Sequence, residues 1–369
     1  MTKFRSSGWT RLVSLALASL MMTGVVGVIG AWAEHVLLYP FFVVNAPNVT
    51  TIVTHMNPFF NGDPGDPVDF LHYQYHFKNA TAAATDACQA YSTFGHTSTN
   101  DVLTYDVSGF LSTEPLLNDT TSGSAGGLGL NINPPGNLIG YLLIINQSGD
   151  NPTYGEALIV DIANGGLWGY LADTIPIDDN AIGPIGSDGG SRLGDSHALA
   201  TGTRRPVHLL PTSVATTDFI VTPLGSAMIA SSTNRTALQM QQTTGFGPTF
   251  PRNYAGAAPN PPFFPAGGVY DRNENPLDFV LRPGVRCVGI LGYSELISVG
   301  VLANPVWNKQ GGWAWLANVL INESTNPNAL TPAFNRNAIV FQRKRSNVFG
   351  LFVVEAQRVI RWSESDPFD

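Results

Sequence analysis

Apolar positions along this chain recur at strand spacing. The clearest run is 70–78, where Leu71, Tyr73, Tyr75 and Phe77 alternate with His72, Gln74, His76 and Lys78. Period two predicts a half-buried strand with its apolar face on a core. Segments rich in Val, Ile, Leu, Thr and aromatics predict further strands over 35–44, 50–57, 102–110, 141–146, 157–162, 219–223, 279–282, 287–291, 313–321, 338–343 and 349–362, most of them bounded by turn residues. The stretch 349–354 is apolar on both faces, which predicts a central position in its sheet. Helical periodicity is confined to 80–91 and 234–242.

Many short strands joined by Gly, Pro and Asn turns, without alternating strands and helices, predict an all-β fold, an antiparallel β-sandwich with long Gly/Pro-rich loops. Residues 34–369 are many for one sandwich. The expectation is one domain with long loops or two packed lobes, 34–190 and 206–369. Gly and Pro are dense at 183–205 and 255–268, as in irregular surface chain.

Residues 1–33 read as a secretory signal peptide. Lys3, Arg5 and Arg11 precede an apolar run, and Ala31-Trp32-Ala33 fits a small-x-small cleavage site. Cleavage predicts a mature chain from Glu34. The rival is an uncleaved membrane anchor, since 12–33 is long enough to span a bilayer. Export in turn predicts that the only two cysteines, Cys88 and Cys287, form a disulfide.

Composition narrows the class. Charged residues are 12% of the 369, about half the usual share, and hydrophobic residues are 44%. Abundant apolar residues exclude a disordered chain, and the acidic balance argues against nucleic-acid binding. Without the three basic residues of 1–33, 16 of the 19 basic residues remain against 27 acids, a net of −11. The layout is uneven. From Glu34 to Ser191 Lys78 is the single base against 16 acids, whereas from Arg192 onward 15 bases face 11 acids. Such opposition suits a cation-holding or base-binding acidic half, or head-to-tail self-assembly.

Candidate chemistry is sparse. Asp63, Asp66 and Asp69 recur every three residues in a turn-rich loop, and Asp271, Asn273 and Asn275 open like a calcium loop, so both sets are candidate Ca²⁺ ligands. Pro276 and Arg282 then stand where an EF-hand needs Gly and Glu. His72 and His76 share a strand face but stand roughly 13 Å apart, too far for one ion. Trp313 and Trp315 share a face and Trp307 is near, a possible glycan platform or a core element. Gly194-Asp195-Ser196 resembles the nucleophile block of SGNH-type esterases, which implies a catalytic His near the C-terminus. The last His here is His208, so no catalytic set is assigned.

These features predict an exported, non-enzymatic protein of the periplasm, cell surface or extracellular space. It would act by contact with other envelope or surface proteins or with itself, and would meet membrane only if 12–33 is retained. The alternative is a secreted carbohydrate-active protein, using carboxylates such as Glu156, Asp161, Glu274, Asp278 and Glu295 in an aromatic cleft.

Overall fold

The computed structural model describes residues 34–58, 68–98, 100–109, 111, 129–130, 136–146, 153–163, 165–177, 204–224, 235–240, 269–273, 276–277, 283–297, 299–319, 338–346 and 354–359. The signal segment, Asp63, Asp66, Asn275, Ser196 and His197 lie outside these residues, as do the expected loop 255–268, the expected strand 279–282 and all of 183–205 except Arg204 and Arg205. Among the described residues no helix is long and apolar enough to cross a membrane.

The first nine strands are β1 (Glu34–Val44), β2 (Val49–Asn57), β3 (Val68–Asn79), β4 (Gln89–Ser98), β5 (Asp101–Asp106), β6 (Leu138–Asn146), β7 (Tyr154–Asp161), β8 (Gly166–Leu171) and β9 (Asp173–Ile177). The rest are β10 (Arg204–Leu209), β11 (Ala215–Pro223), β12 (Arg235–Met240), β13 (Val269–Asp271), β14 (Pro276–Leu277), β15 (Gly284–Arg286), β16 (Gly289–Gly292), β17 (Gly312–Val319), β18 (Ala338–Ser346) and β19 (Val354–Arg358). The fold is all-β, with antiparallel pairing throughout. Among the described residues three helical segments interrupt it, Tyr293–Leu296, Val299–Leu302 and Pro305–Gln310.

The strands form four sheets. Sheet I runs β4-β3-β6-β1-β9 and sheet II β5-β2-β7-β8, so both come from the first half of the chain. Sheet III runs β16-β11-β18-β19, and sheet IV gathers β10, β12, β13, β14 and β15 around β17. On β17, residues 312–317 pair with β10 along one edge. The other edge is shared end to end by β13 and β12.

Three hydrophobic clusters link these sheets. Leu37, Tyr39, Leu71, Tyr73, Tyr75, Leu142 and Ile144 of sheet I share one with Val53, Leu103, Tyr105 and Ala157 of sheet II. The opposite face of sheet I gives Val36, Leu38, Tyr141 and Leu143 to a second cluster with Ile220, Ile339 and Phe341 of sheet III. The far face of sheet III gives Phe219, Val221, Ala338 and Val340 to a third, with Val207, Leu209, Ala314 and Leu316 of sheet IV. Strands β1, β6, β11 and β18 therefore bury both faces, which is why they read as continuous apolar runs rather than alternating ones.

A bulge in β1 lets it serve two faces. Tyr39 pairs with Leu142 and Phe42 with Gly140, so three steps on β1 match two on β6. Parity reverses there. Val36 and Leu38 lie on the sheet III side before the bulge and Phe41 after it. The carbonyls set loose at the bulge find side chains from other sheets: the Tyr170 hydroxyl of β8 donates to Phe41 O, and the Thr222 hydroxyl of β11 donates to Pro40 O. Gly140 is required beside it, since a Cβ there would stand 2.5 Å from the Phe42 ring and 2.2 Å from His76 O.

A disulfide and several polar contacts join the halves. Cys88 and Cys287 form the expected disulfide, across 199 residues of sequence, with Cα atoms 5.9 Å apart. Beside it the buried Lys78 ammonium donates to the carbonyls of Ala83, Ala84, Asp86 and Arg286 at 2.9–3.3 Å. Farther along, the Arg358 guanidinium of β19 pairs with the buried carboxylate of Asp173 on β9 and lies 5.6 Å over the Phe341 ring.

Both expected helices are corrected. Residues 80–88 form turns, held by the disulfide and the Lys78 cage, and from Gln89 the chain pairs with β3 as β4. Of the helix expected at 234–242, residues 235–240 instead form β12, paired with β15 and β17; ladder partners on both sides override a weak local preference. The stretch 349–354 is described only at Val354, which opens β19 at the edge of sheet III rather than at its centre.

Candidate functional site

Sheet I is wider than the cluster that covers its second face. β1 and β6 bury Val36, Leu38, Tyr141 and Leu143 there, but β3 and β4 extend beyond them. Register puts Phe70 opposite His96, His72 opposite Phe94, Gln74 opposite Ser92 and His76 opposite Ala90. These residues share the face of Tyr141 and Leu143, since His76 pairs with Tyr141 and Gln74 with Leu143 on β6. Phe94 is 64% exposed and Phe70 55%. Soluble proteins rarely leave apolar groups of this size together on a strand face unless something covers them in use.

Stacking organises the face. The rings of His72 and Phe94 lie 4.5 Å apart and nearly parallel, and His76 stacks on Tyr141 at 4.7 Å. The Gln74 amide donates to His72 Nδ1 at 3.2 Å, which assigns the ring proton to Nε2. Burial lowers both His72 and His76 below the usual histidine value, so both rings are neutral near pH 7. The two stacked rings are thus uncharged as well as aromatic. β4 carries no Lys, Arg, Asp or Glu in ten residues. Natural edge strands often use such charges to discourage pairing with another chain.

Inside, sheets I and II enclose polar groups. His55 of β2 is fully buried with no hydrogen-bond partner on either ring nitrogen, and burial pushes its pKa down to about 4. The Tyr75 hydroxyl donates to Tyr105 at 3.1 Å, and the Tyr39 hydroxyl donates to Thr54 O at 2.8 Å.

The residues singled out by sequence fall in separate places. Asp69 is buried on the inner face of β3 and accepts from the Asn57 amide at 2.8 Å. Asp271 is buried at the end of β13 and accepts from the backbone of the exposed Asn273 at 2.8 Å, an ordinary Asx turn. Trp313 and Trp315 are half-buried on the outer face of β17, edge to face at 5.6 Å, with Trp313 stacked on Tyr270 at 4.5 Å. Trp307 is a correction: it sits in the third cluster on the helix Pro305–Gln310 and offers no ring face to a ligand. Glu295 is occupied as a cap, its carboxylate accepting from Gly292 N at 2.7 Å. Glu156 and Asp161 sit five apart on β7, hence on opposite faces. Among the described residues no group of three or more His, Cys, Asp or Glu is placed to hold a metal ion.

Phe94 and His96 were not foreseen. The signal was present in Tyr91-Ser92-Thr93-Phe94, which is aromatic and β-branched, but the Ala-rich turn before it resembles a helix start. No protein-family model, no curated protein and no solved structure matches the chain.

Proposed function

We propose that residues 34–369 act as an exported protein of the periplasm, cell surface or extracellular space, working by contact rather than by chemistry on a substrate. The contact surface in this reading is the β3–β4 face, and its partner is a second copy of the chain. The carrying observation is the 64% exposure of Phe94 on an aromatic face whose edge strand has no Lys, Arg, Asp or Glu. Two copies related by a two-fold axis would offer each other the same face, so one patch serves both. Each phenyl ring removed from water contributes about 2 kcal/mol, which supports a reversible, concentration-dependent contact. The test is the mass of residues 34–369 by light scattering across a concentration series, beside Phe94→Asp. Wild type is expected to grow with concentration and the variant to stay monomeric. Association unchanged in the variant would remove this face from the reading.

A glycan-binding role is the second reading, favoured by the half-exposed Trp313 and Trp315 beside Tyr270. Glycan-array binding that disappears in Trp313→Ala supports it. An array without signal counts against it.

A further inference from the structure

One end of the cluster between sheets I and II is polar, and four strands build it. Asn57 ends β2, Asp69 lies near the start of β3, Thr97 pairs opposite Asp69 on β4, and Asp101 opens β5. Asn57 and Asp69 are each 2% exposed. The Asn57 amide nitrogen donates to Asp69 Oδ2 at 2.8 Å, which puts the two side chains in contact. The other oxygens of this pair, Asn57 Oδ1 and Asp69 Oδ1, are buried and have no hydrogen-bond partner. Asp101 pairs opposite Asn57 in the β2–β5 ladder, and its carboxylate accepts from Thr97 Oγ1 at 3.2 Å, Ser98 N at 3.4 Å and Val102 N at 2.9 Å. Among the described residues neither carboxylate is in an ion pair.

A buried carboxylate with a single hydrogen bond is costly, and so is a buried amide oxygen with none. Both are electron-rich, and a further acid, Asp101, pairs opposite Asn57 on β5. A cation satisfies two such oxygens and the local charge together. Oxygen ligands without thiolate select a hard ion, and Ca²⁺ tolerates the irregular geometry of side chains drawn from two strands. We propose that Asn57 Oδ1 and Asp69 Oδ1 ligate a divalent cation of the Ca²⁺ type, with Asp101 supplying further negative charge and water completing the shell. The ion would clamp β2 of sheet II to β3 of sheet I. None of these residues belongs to the exposed aromatic face.

Terbium is the probe, because tyrosines, Tyr73 among them, line the same interior and sensitise its emission. Residues 34–369 are titrated with Tb³⁺, followed by competition with Ca²⁺ and with Mg²⁺, and melted in Ca²⁺ and in EDTA. Saturable emission displaced by Ca²⁺ and a higher melting temperature in Ca²⁺ are expected. Asp69→Asn and Asn57→Leu should each weaken Tb³⁺ binding at least tenfold, while Asp271→Asn leaves it unchanged. Asn57→Leu keeps the test valid if Asp69→Asn does not fold. The proposal is overturned by the absence of saturable emission, by a melting temperature indifferent to Ca²⁺ and EDTA, or by binding that survives in Asn57→Leu.

Discussion

His55 shows how much one side chain costs when its surroundings offer nothing. Both ring nitrogens are buried without partners between two sheets. Replacing an unsatisfied polar group by an apolar one of similar size removes a desolvation penalty of about 1–3 kcal/mol. His55→Leu is therefore expected to raise the melting temperature; a clear fall would mean that the ring makes a stabilising contact. His76 carries a pH dependence. Burial lowers its folded-state pKa, so the unfolded chain binds a proton more readily. As pH falls through the unfolded value near 6.5, protonation favours unfolding, and stability declines toward the lowered folded value. Denaturant midpoints between pH 7.5 and 5 are expected to fall less steeply for His76→Phe than for wild type. Equal slopes would contradict this.

Individual elements were legible in proportion to how far local pattern decided them. The alternation of 70–78 assigned the inner face of β3 correctly, because register and burial follow directly from period two: Leu71, Tyr73 and Tyr75 are fully buried. The strand expected over 35–44 is β1, but nothing local foretold the bulge that reverses its parity, since that depends on Tyr170 and Thr222 arriving from elsewhere. The helix Pro305–Gln310 carried readable signals that its brevity hid. Asn304 Oδ1 accepts from Val306 N and Trp307 N, Pro305 opens the first turn, and Gly311 follows with φ of 69°. The exposed face was the least legible part of the site, because no local pattern says how far a neighbouring sheet extends. Between elements, the Arg358–Asp173 pair joins β19 to β9. Arg358→Ala is expected to cost roughly 3 kcal/mol by removing the partner of a buried charge, and Asp173→Asn in the same chain to recover part of it. A double-mutant cycle in urea measures the coupling, and strictly additive losses would show that the pair does not bind the halves.

The whole molecule joins an acidic first half to a basic second half, and part of that opposition is spent within the chain, where Arg358 meets Asp173. The disulfide does more. By the chain-entropy relation, closing 199 residues removes about 5 kcal/mol of freedom from the unfolded state. Reduction, or Cys88→Ser with Cys287→Ser, should lower the denaturant midpoint by a comparable free energy; a loss below about 1 kcal/mol would show that the sheets hold each other without it. The disulfide and Lys78 lie at the far end of β3 from Phe70, so the aromatic face is carried on a strand anchored at its other end. The most direct test of the contact reading is the light-scattering mass of residues 34–369 at rising concentration in low and high salt, with Phe94→Asp alongside. Association that persists in high salt and vanishes in the variant is the predicted result. A wild-type protein that stays monomeric at every concentration would contradict it.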